Sequence, residues 1–170
     1  METKKVDWQL VILVCSIIII MIMGVRQSLG LFLEPITNFM NSGKEFFSFA
    51  IGVQAIIWGL VTFFLGILID KFGPQKVLAF GIISFASGIF LMSNPTSEFT
   101  LFSATTLMGF GLGGAGMATM VSIAGKVAPV NKRSLAMGLV AAAASFGQFA
   151  VVIPTMWMNK EFGWETSLII

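Results

Sequence analysis

The sequence predicts an all-α fold, a polytopic bundle of transmembrane helices, and three observations carry that prediction. Of 170 residues, 56% are hydrophobic and only 11% are charged, against about 25% charged in a soluble domain. The charges leave five uncharged runs, 8–25, 46–69, 77–97, 99–125 and 134–159, each near or above the roughly 20 residues that cross a bilayer as helix. The runs are joined by short links that carry helix breakers. Barrel strands are excluded, because they need only about 10 residues of alternating polarity.

The elements follow in order. The first helix is expected over about 8–33. Lys4 and Lys5 ahead of an apolar stretch imitate a secretory signal, but the stretch is too long and no small-residue cleavage site follows, so it reads as an uncleaved first helix. Glu34-Pro35 and Asn41-Ser42-Gly43 separate it from a second helix over about 46–70. Gly73-Pro74 leads into a third over about 75–93, Asn94-Pro95 into a fourth over about 98–125, and Ala128-Pro129 with Asn131 into a fifth over about 133–158. A new apolar segment at 164–170 reads as the start of a sixth helix, cut short at Ile170. The fourth helix carries Gly109, Gly111, Gly113, Gly114 and Gly116, which points first to close helix packing. No segment is long enough for a domain outside the membrane, so any activity belongs to the bundle.

Composition removes several function classes. There is no histidine, and the single cysteine, Cys15, lies in the first apolar run, so neither a zinc site nor a disulfide framework can be built. No metal and no cofactor is expected. A membrane enzyme would need His, Cys or carboxylates clustered at depth, and the spans show none, so the chain is not read as an enzyme. A channel would have to assemble from several copies and carry large, uncoupled fluxes. A net charge of +2 is too small to suggest nucleic acid.

The charges also set an orientation. Lys4, Lys5, Lys71, Lys76, Lys126, Lys132 and Arg133 fall in alternate links, seven of the ten basic residues, whereas Lys44, Lys160 and five glutamates occupy the opposite set. Short basic loops stay inside, so a multi-pass protein of the cell membrane with a cytoplasmic N-terminus is expected. Trp8, Trp157 and Trp164 sit where interfacial aromatic belts form.

The link between the second and third helices reads Gly66-Ile67-Leu68-Ile69-Asp70-Lys71-Phe72-Gly73-Pro74-Gln75-Lys76-Val77-Leu78. Gly66 permits close packing, Gly73 can take the positive φ of a very tight turn, and Asp70 can face a helix N-terminus or pair with a base. The alternative is an ordinary solvated turn, but Gly-x-x-x-Asp-Lys-x-Gly has a chance below about one in a hundred in a chain of this length at average residue usage. With this motif the sequence resembles the major facilitator superfamily, whose signature is Gly-x-Leu-x-Asp-Arg/Lys-x-Gly-Arg-Arg/Lys followed by the third helix. The match covers Gly66, Leu68, Asp70, Lys71, Gly73 and Leu78. It departs at Pro74 and Gln75, with Lys76 supplying the missing base. The resemblance implies the N-terminal half of a major facilitator fold, in which this loop stabilises the outward-open state against a second helical half. Asp70 would then belong to a gate rather than to a substrate site.

Two further stretches resemble a subgroup. Lys132-Arg133-Ser134-Leu135-Ala136-Met137-Gly138 looks like the Arg-Gly-Leu-Ala-x-Gly stretch of monocarboxylate and oxalate/formate carriers, and 24–32 looks like the first helix of bacterial members. Thr105 stands where many sugar and drug carriers have arginine, and the fifth helix offers Gly147 and Pro154 in place of the antiporter Gly-Pro-x-x-Gly pattern. Those absences count against a proton-driven drug exporter.

Arg26 is the only charge well inside a span, and such a residue is a functional-site hypothesis by default. It can contact an anionic substrate, pair with an acid elsewhere in the transporter, or snorkel outward; Glu34, eight residues on, is about 12 Å away along a helix. Gln54 and Gln148, near the middle of the second and fifth helices, can donate to a substrate oxygen or simply bond across helices. Thr105 and Thr106 are weaker candidates, and Trp58 and the eleven methionines are assigned to packing or lipid. The expected function is secondary transport of a small organic anion, monocarboxylate-like, by alternating access between two halves. Arg26, Gln54, Thr105 and Gln148 are the substrate candidates, and Gly66, Asp70, Lys71, Gly73 and Lys76 the gating motif. Symport with a proton is compatible with this reading, although no acid in the spans can carry it. A drug exporter of the same superfamily is the alternative.

Overall fold

The computed structural model describes residues 7–169. Lys4, Lys5 and Ile170, which enter the expectations on orientation and on the sixth helix, lie outside those residues. Every regular element described is helical, and five stretches are long and apolar enough to cross a membrane: span 1 (Trp8–Met40), span 2 (Lys44–Phe72), span 3 (Pro74–Met92), span 4 (Glu98–Val127) and span 5 (Val130–Phe162).

Span 1 is expected to end near 33; instead it runs to Met40 in three pieces, helix α1 (Trp8–Ser28), a 3-10 turn (Leu29–Phe32) and helix α2 (Leu33–Met40). Asp7 caps its start, its carboxylate accepting from the Gln9 N–H at 3.0 Å. Pro35 does not terminate the span, because it occupies the first turn of α2, where an N–H has no helical acceptor anyway. What Pro35 disturbs is the preceding turn, and there the chain tightens to 3-10. The Ser28 hydroxyl adds to the bend by donating back to the Gly24 carbonyl at 3.0 Å.

Asn41, at φ +50°, ends α2 in the left-handed region, and Gly43 precedes helix α3 (Lys44–Phe72). A single residue, Gly73, then separates α3 from helix α4 (Pro74–Met92). Span 4 is two helices, α5 (Glu98–Ala115) and α6 (Met117–Val127), broken at Gly116. The Ser97 hydroxyl caps α5 by accepting from the Thr100 N–H at 3.2 Å. Span 5 opens with a 3-10 turn (Val130–Lys132) and continues as α7 (Arg133–Ala150) and α8 (Val152–Phe162). Pro154 repeats the role of Pro35, three residues into α8 with the break just before it. Gly163 leads into α9 (Trp164–Ile169).

Span 4 is the centre of the bundle: α5 packs on spans 2 and 3, and α6 on α7 and α1. Its glycines serve different neighbours. A Cβ at Gly109 would lie 2.8 Å from the Gln54 carbonyl oxygen and one at Gly113 would strike Val61, both on span 2. A Cβ at Gly111 would lie 2.6 Å from Phe85 Cβ and one at Gly114 2.8 Å from Gly81 Cα, both on span 3. Spans 1 and 5 approach in the same manner, Gly24 against Val151 and the Gly147 carbonyl, Gly147 against Ile20. Small residues thus bring three pairs of backbones together, as they do where lipid supplies no hydrophobic drive. Gly66 is different: open space surrounds its Cβ position, and it makes no close approach among the described residues.

Candidate functional site

Spans 1 and 2 do not pack closely side by side, and between them lies a cavity of about 320 Å³. Arg26, Gln27 and Leu33 line it from span 1, and Phe47, Ile51 and Gln54 from span 2. Two of the four substrate candidates, Arg26 and Gln54, therefore meet in one place, although 28 positions separate them in sequence.

Arg26 is half-buried, 18 residues and roughly 27 Å of helix from the start of span 1. No carboxylate pairs with it among the described residues. Glu34 is already engaged, accepting from Lys44 Nζ at 2.7 Å, and the 3-10 turn separates it from Arg26. The guanidinium instead lies over the indole of Trp58, with Cζ 4.8 Å from the ring centroid. That is a cation–π contact, an arrangement outside the three expected for this arginine. Trp58 is expected to pack against neighbours or lipid, and it does pack against the buried core; its spacing of four from Gln54 also places both on one side of α3.

Gln54 is 2% exposed and its Nε2 has no hydrogen-bond partner. A buried amide donor left unpaired carries a cost of about 1–3 kcal/mol. An oxygen-bearing ligand in the cavity would remove that cost. The cavity therefore offers one cation, one orphaned donor, the further polar groups of Gln27 and Ser48, and walls of leucine, isoleucine and phenylalanine, a combination that suits an anionic head on an apolar body.

The other two candidates lie elsewhere. Thr105 is fully buried in α5 and donates to the Phe102 carbonyl of its own helix at 3.0 Å. Gln148 lies on the exposed side of α7, next to Gly147, which packs on span 1. Neither lines the cavity between spans 1 and 2.

The gating motif forms a second locality. Gly73 has φ +83° and ψ 151°, a conformation that is essentially restricted to glycine. Its N–H closes α3 on the Ile69 carbonyl at 2.9 Å, its carbonyl accepts from the Val77 N–H at 3.3 Å, and Pro74 opens α4 where no donor is needed. Asp70 is well exposed and faces Lys126 at the end of span 4, Nζ to Oδ1 3.9 Å. The Lys71 ammonium lies over Phe72, 5.3 Å from its centroid. Lys76 lines a separate apolar groove with Val61 and Phe80. The expected tight turn is present, and its aspartate pairs with a base rather than with a helix end.

Comparison with known proteins adds a family-level finding. The model of the Major Facilitator Superfamily matches residues 12–170. The chain is 27% identical over 110 residues to the agnestins efflux protein AgnL12 of Paecilomyces divaricatus, an alignment covering 63% of this chain and 25% of that protein. It is 29% identical over 98 residues to an uncharacterized MFS-type transporter, YcxA, of Bacillus subtilis, covering 58% and 23%. Against a probable 4-methylmuconolactone transporter of Cupriavidus pinatubonensis it is 28% identical over 145 residues, covering 72% and 34%. The chain spans about a third or less of the length of these curated relatives.

Proposed function

Since the chain belongs to the Major Facilitator Superfamily, we propose that it supplies the first helical half of a secondary transporter for small organic anions, monocarboxylate-like, working by alternating access against a second half. The observation that carries this reading is the meeting of Arg26 with the unpartnered amide of Gln54 in one cavity between spans 1 and 2. A guanidinium with no carboxylate beside it among the described residues attracts an anion, and its fork of N–H groups matches a carboxylate. The amide supplies a further donor, and the apolar walls accept the rest of the molecule. The superfamily and the three transporter relatives support transport rather than catalysis.

In the same reading, the basic ends of the spans face the cytoplasm of a cell membrane, and the turn at Gly73 belongs to the cytoplasmic gate. Asp70 there exchanges its loose pairing with Lys126 for contacts to the second half. A proton co-substrate would be carried by an acid of that second half.

The test is uptake of propionate or benzoate into proteoliposomes holding the two-half transporter. Arg26→Ala should lower uptake about ten- to a hundredfold, the loss expected for removing a charged partner, while insertion stays normal. Uptake at the parental rate would remove Arg26 from the site. A second reading, a multidrug or other small-molecule exporter, is favoured by the relative named as an efflux protein. Competition by lipophilic cations but not by carboxylates would select it and place Arg26 outside the site, because a guanidinium there would repel cations.

A further inference from the structure

We infer that Trp58 is a positioning residue for Arg26, and that its indole face holds the guanidinium inside the cavity, ready for a carboxylate. The inference rests on the anion-carrier reading. An arginine without an acid beside it tends to carry its charge along its flexible stem toward water. Trp58 opposes that movement. Its ring centroid lies 4.8 Å from the Arg26 Cζ, within the roughly 6 Å over which the ring quadrupole attracts a cation. An aromatic face attracts the cation as a whole and uses none of its five N–H donors, so the guanidinium is held in place with its hydrogen-bonding capacity unspent. An acid in the same position would occupy the fork that a substrate needs.

The placement of the indole is itself constrained. Trp58 is half-buried on α3, and its Nε1 lies 3.5 Å from the point where a Cβ on Gly116 would stand. The ring therefore reaches from Arg26 of span 1 to the break between α5 and α6 in span 4. Gly116 keeps that break narrow: a Cβ there would collide with the carbonyl oxygen of Leu112. One turn before Trp58 on the same helix, Gln54 brings its unpartnered amide to the cavity wall. A single helix, α3, thus carries both the residue that steadies the cation and a second donor for the same anionic head.

The two-half transporter is tested with propionate or benzoate as the probe. Trp58→Leu keeps apolar bulk and removes the π-face; KM should rise about tenfold while kcat changes less than about twofold. Trp58→Phe restores a face and should bring KM back to within about threefold of the parent. A purely structural tryptophan would lower kcat and the inserted amount together and would not be rescued by phenylalanine. A second measurement needs no substrate. With Trp8, Trp157, Trp164 and every tryptophan of the second half replaced by phenylalanine, Trp58 becomes the sole indole, and Arg26→Gln should change its emission. The inference is overturned if Trp58→Leu leaves KM unchanged, if phenylalanine fails as badly as leucine, or if the emission ignores Arg26→Gln. Should Trp58→Leu fail to insert, the emission decides. If Arg26→Ala transports normally, the anion-carrier reading falls; if Arg26→Ala is impaired and Trp58→Leu is silent, only the role of Trp58 falls.

Discussion

The turn between α3 and α4 and the turn between α8 and α9 share one backbone and are secured by different side chains. Gly73 has φ +83° and ψ 151°, Gly163 has φ +80° and ψ 163°, and each is the single residue between two helices. Both follow a phenylalanine that follows two charged residues, Asp70-Lys71-Phe72 in one case and Lys160-Glu161-Phe162 in the other. In both, the glycine carbonyl accepts the first amide bond of the next helix, from Val77 at 3.3 Å and from Ser167 at 3.1 Å. Around the first turn the links are charge and ring constraint, Asp70 facing Lys126 and Pro74 opening α4. Around the second they are aromatic, Trp164 edge-on to Phe39 at 5.4 Å and Trp157 edge-on to Phe162 at 5.8 Å. The backbone answers a geometric demand, reversal of the chain within one residue. The side chains answer the local surroundings.

Substitutions can break or sharpen that likeness. The largest effect is expected from Gly73→Ala and Gly163→Ala. Each Cβ would enter open space, so the cost is backbone strain alone, about 1–3 kcal/mol. Thermal unfolding in detergent should show similar losses at both sites, and a loss at only one would mean that the two turns merely look alike. Next comes Trp164→Leu, which keeps bulk but removes the edge contact with Phe39. It should cost about 0.5–1.5 kcal/mol without loosening the turn at Gly73, a difference that amide hydrogen exchange can resolve. The smallest stability effect belongs to Asp70→Asn, within about 0.5 kcal/mol for so exposed and long a pair. Uptake should nevertheless fall in that variant, which would separate a gating aspartate from one that only decorates the turn.

The number and order of the spans were legible because length and charge alone decide what crosses a bilayer. The turn at Gly73 was legible because only glycine serves that backbone. Its counterpart at Gly163 is expected only as a gap between helices ending near 158 and starting near 164, because Phe162-Gly163-Trp164 carries no charge signature of the family. The division of spans 1, 4 and 5 was hidden for another reason. An apolar helix reads the same whether it is straight or broken, and Pro35 and Pro154 mark only the first turn after the break. The site was half visible: Arg26 and Gln54 stood out as polar groups at depth, but their meeting depends on the gap that the bundle leaves between spans 1 and 2. Thr105 and Gln148 stood out by the same rule and point elsewhere. Trp58 reads as packing, which it also does, and its contact with Arg26 stayed hidden because nothing within span 2 announces a cation 32 positions earlier.

Span 4 is at once the least apolar of the five and the most enclosed. A helix whose glycines are shaped to its neighbours is a poor solute for lipid on its own. Chain order compensates for this during biogenesis. Spans 2 and 3, the partners of Gly109, Gly111, Gly113 and Gly114, leave the insertion machinery before span 4 does. The glycine-rich helix thus follows, in chain order, the two spans whose surfaces are shaped to receive it.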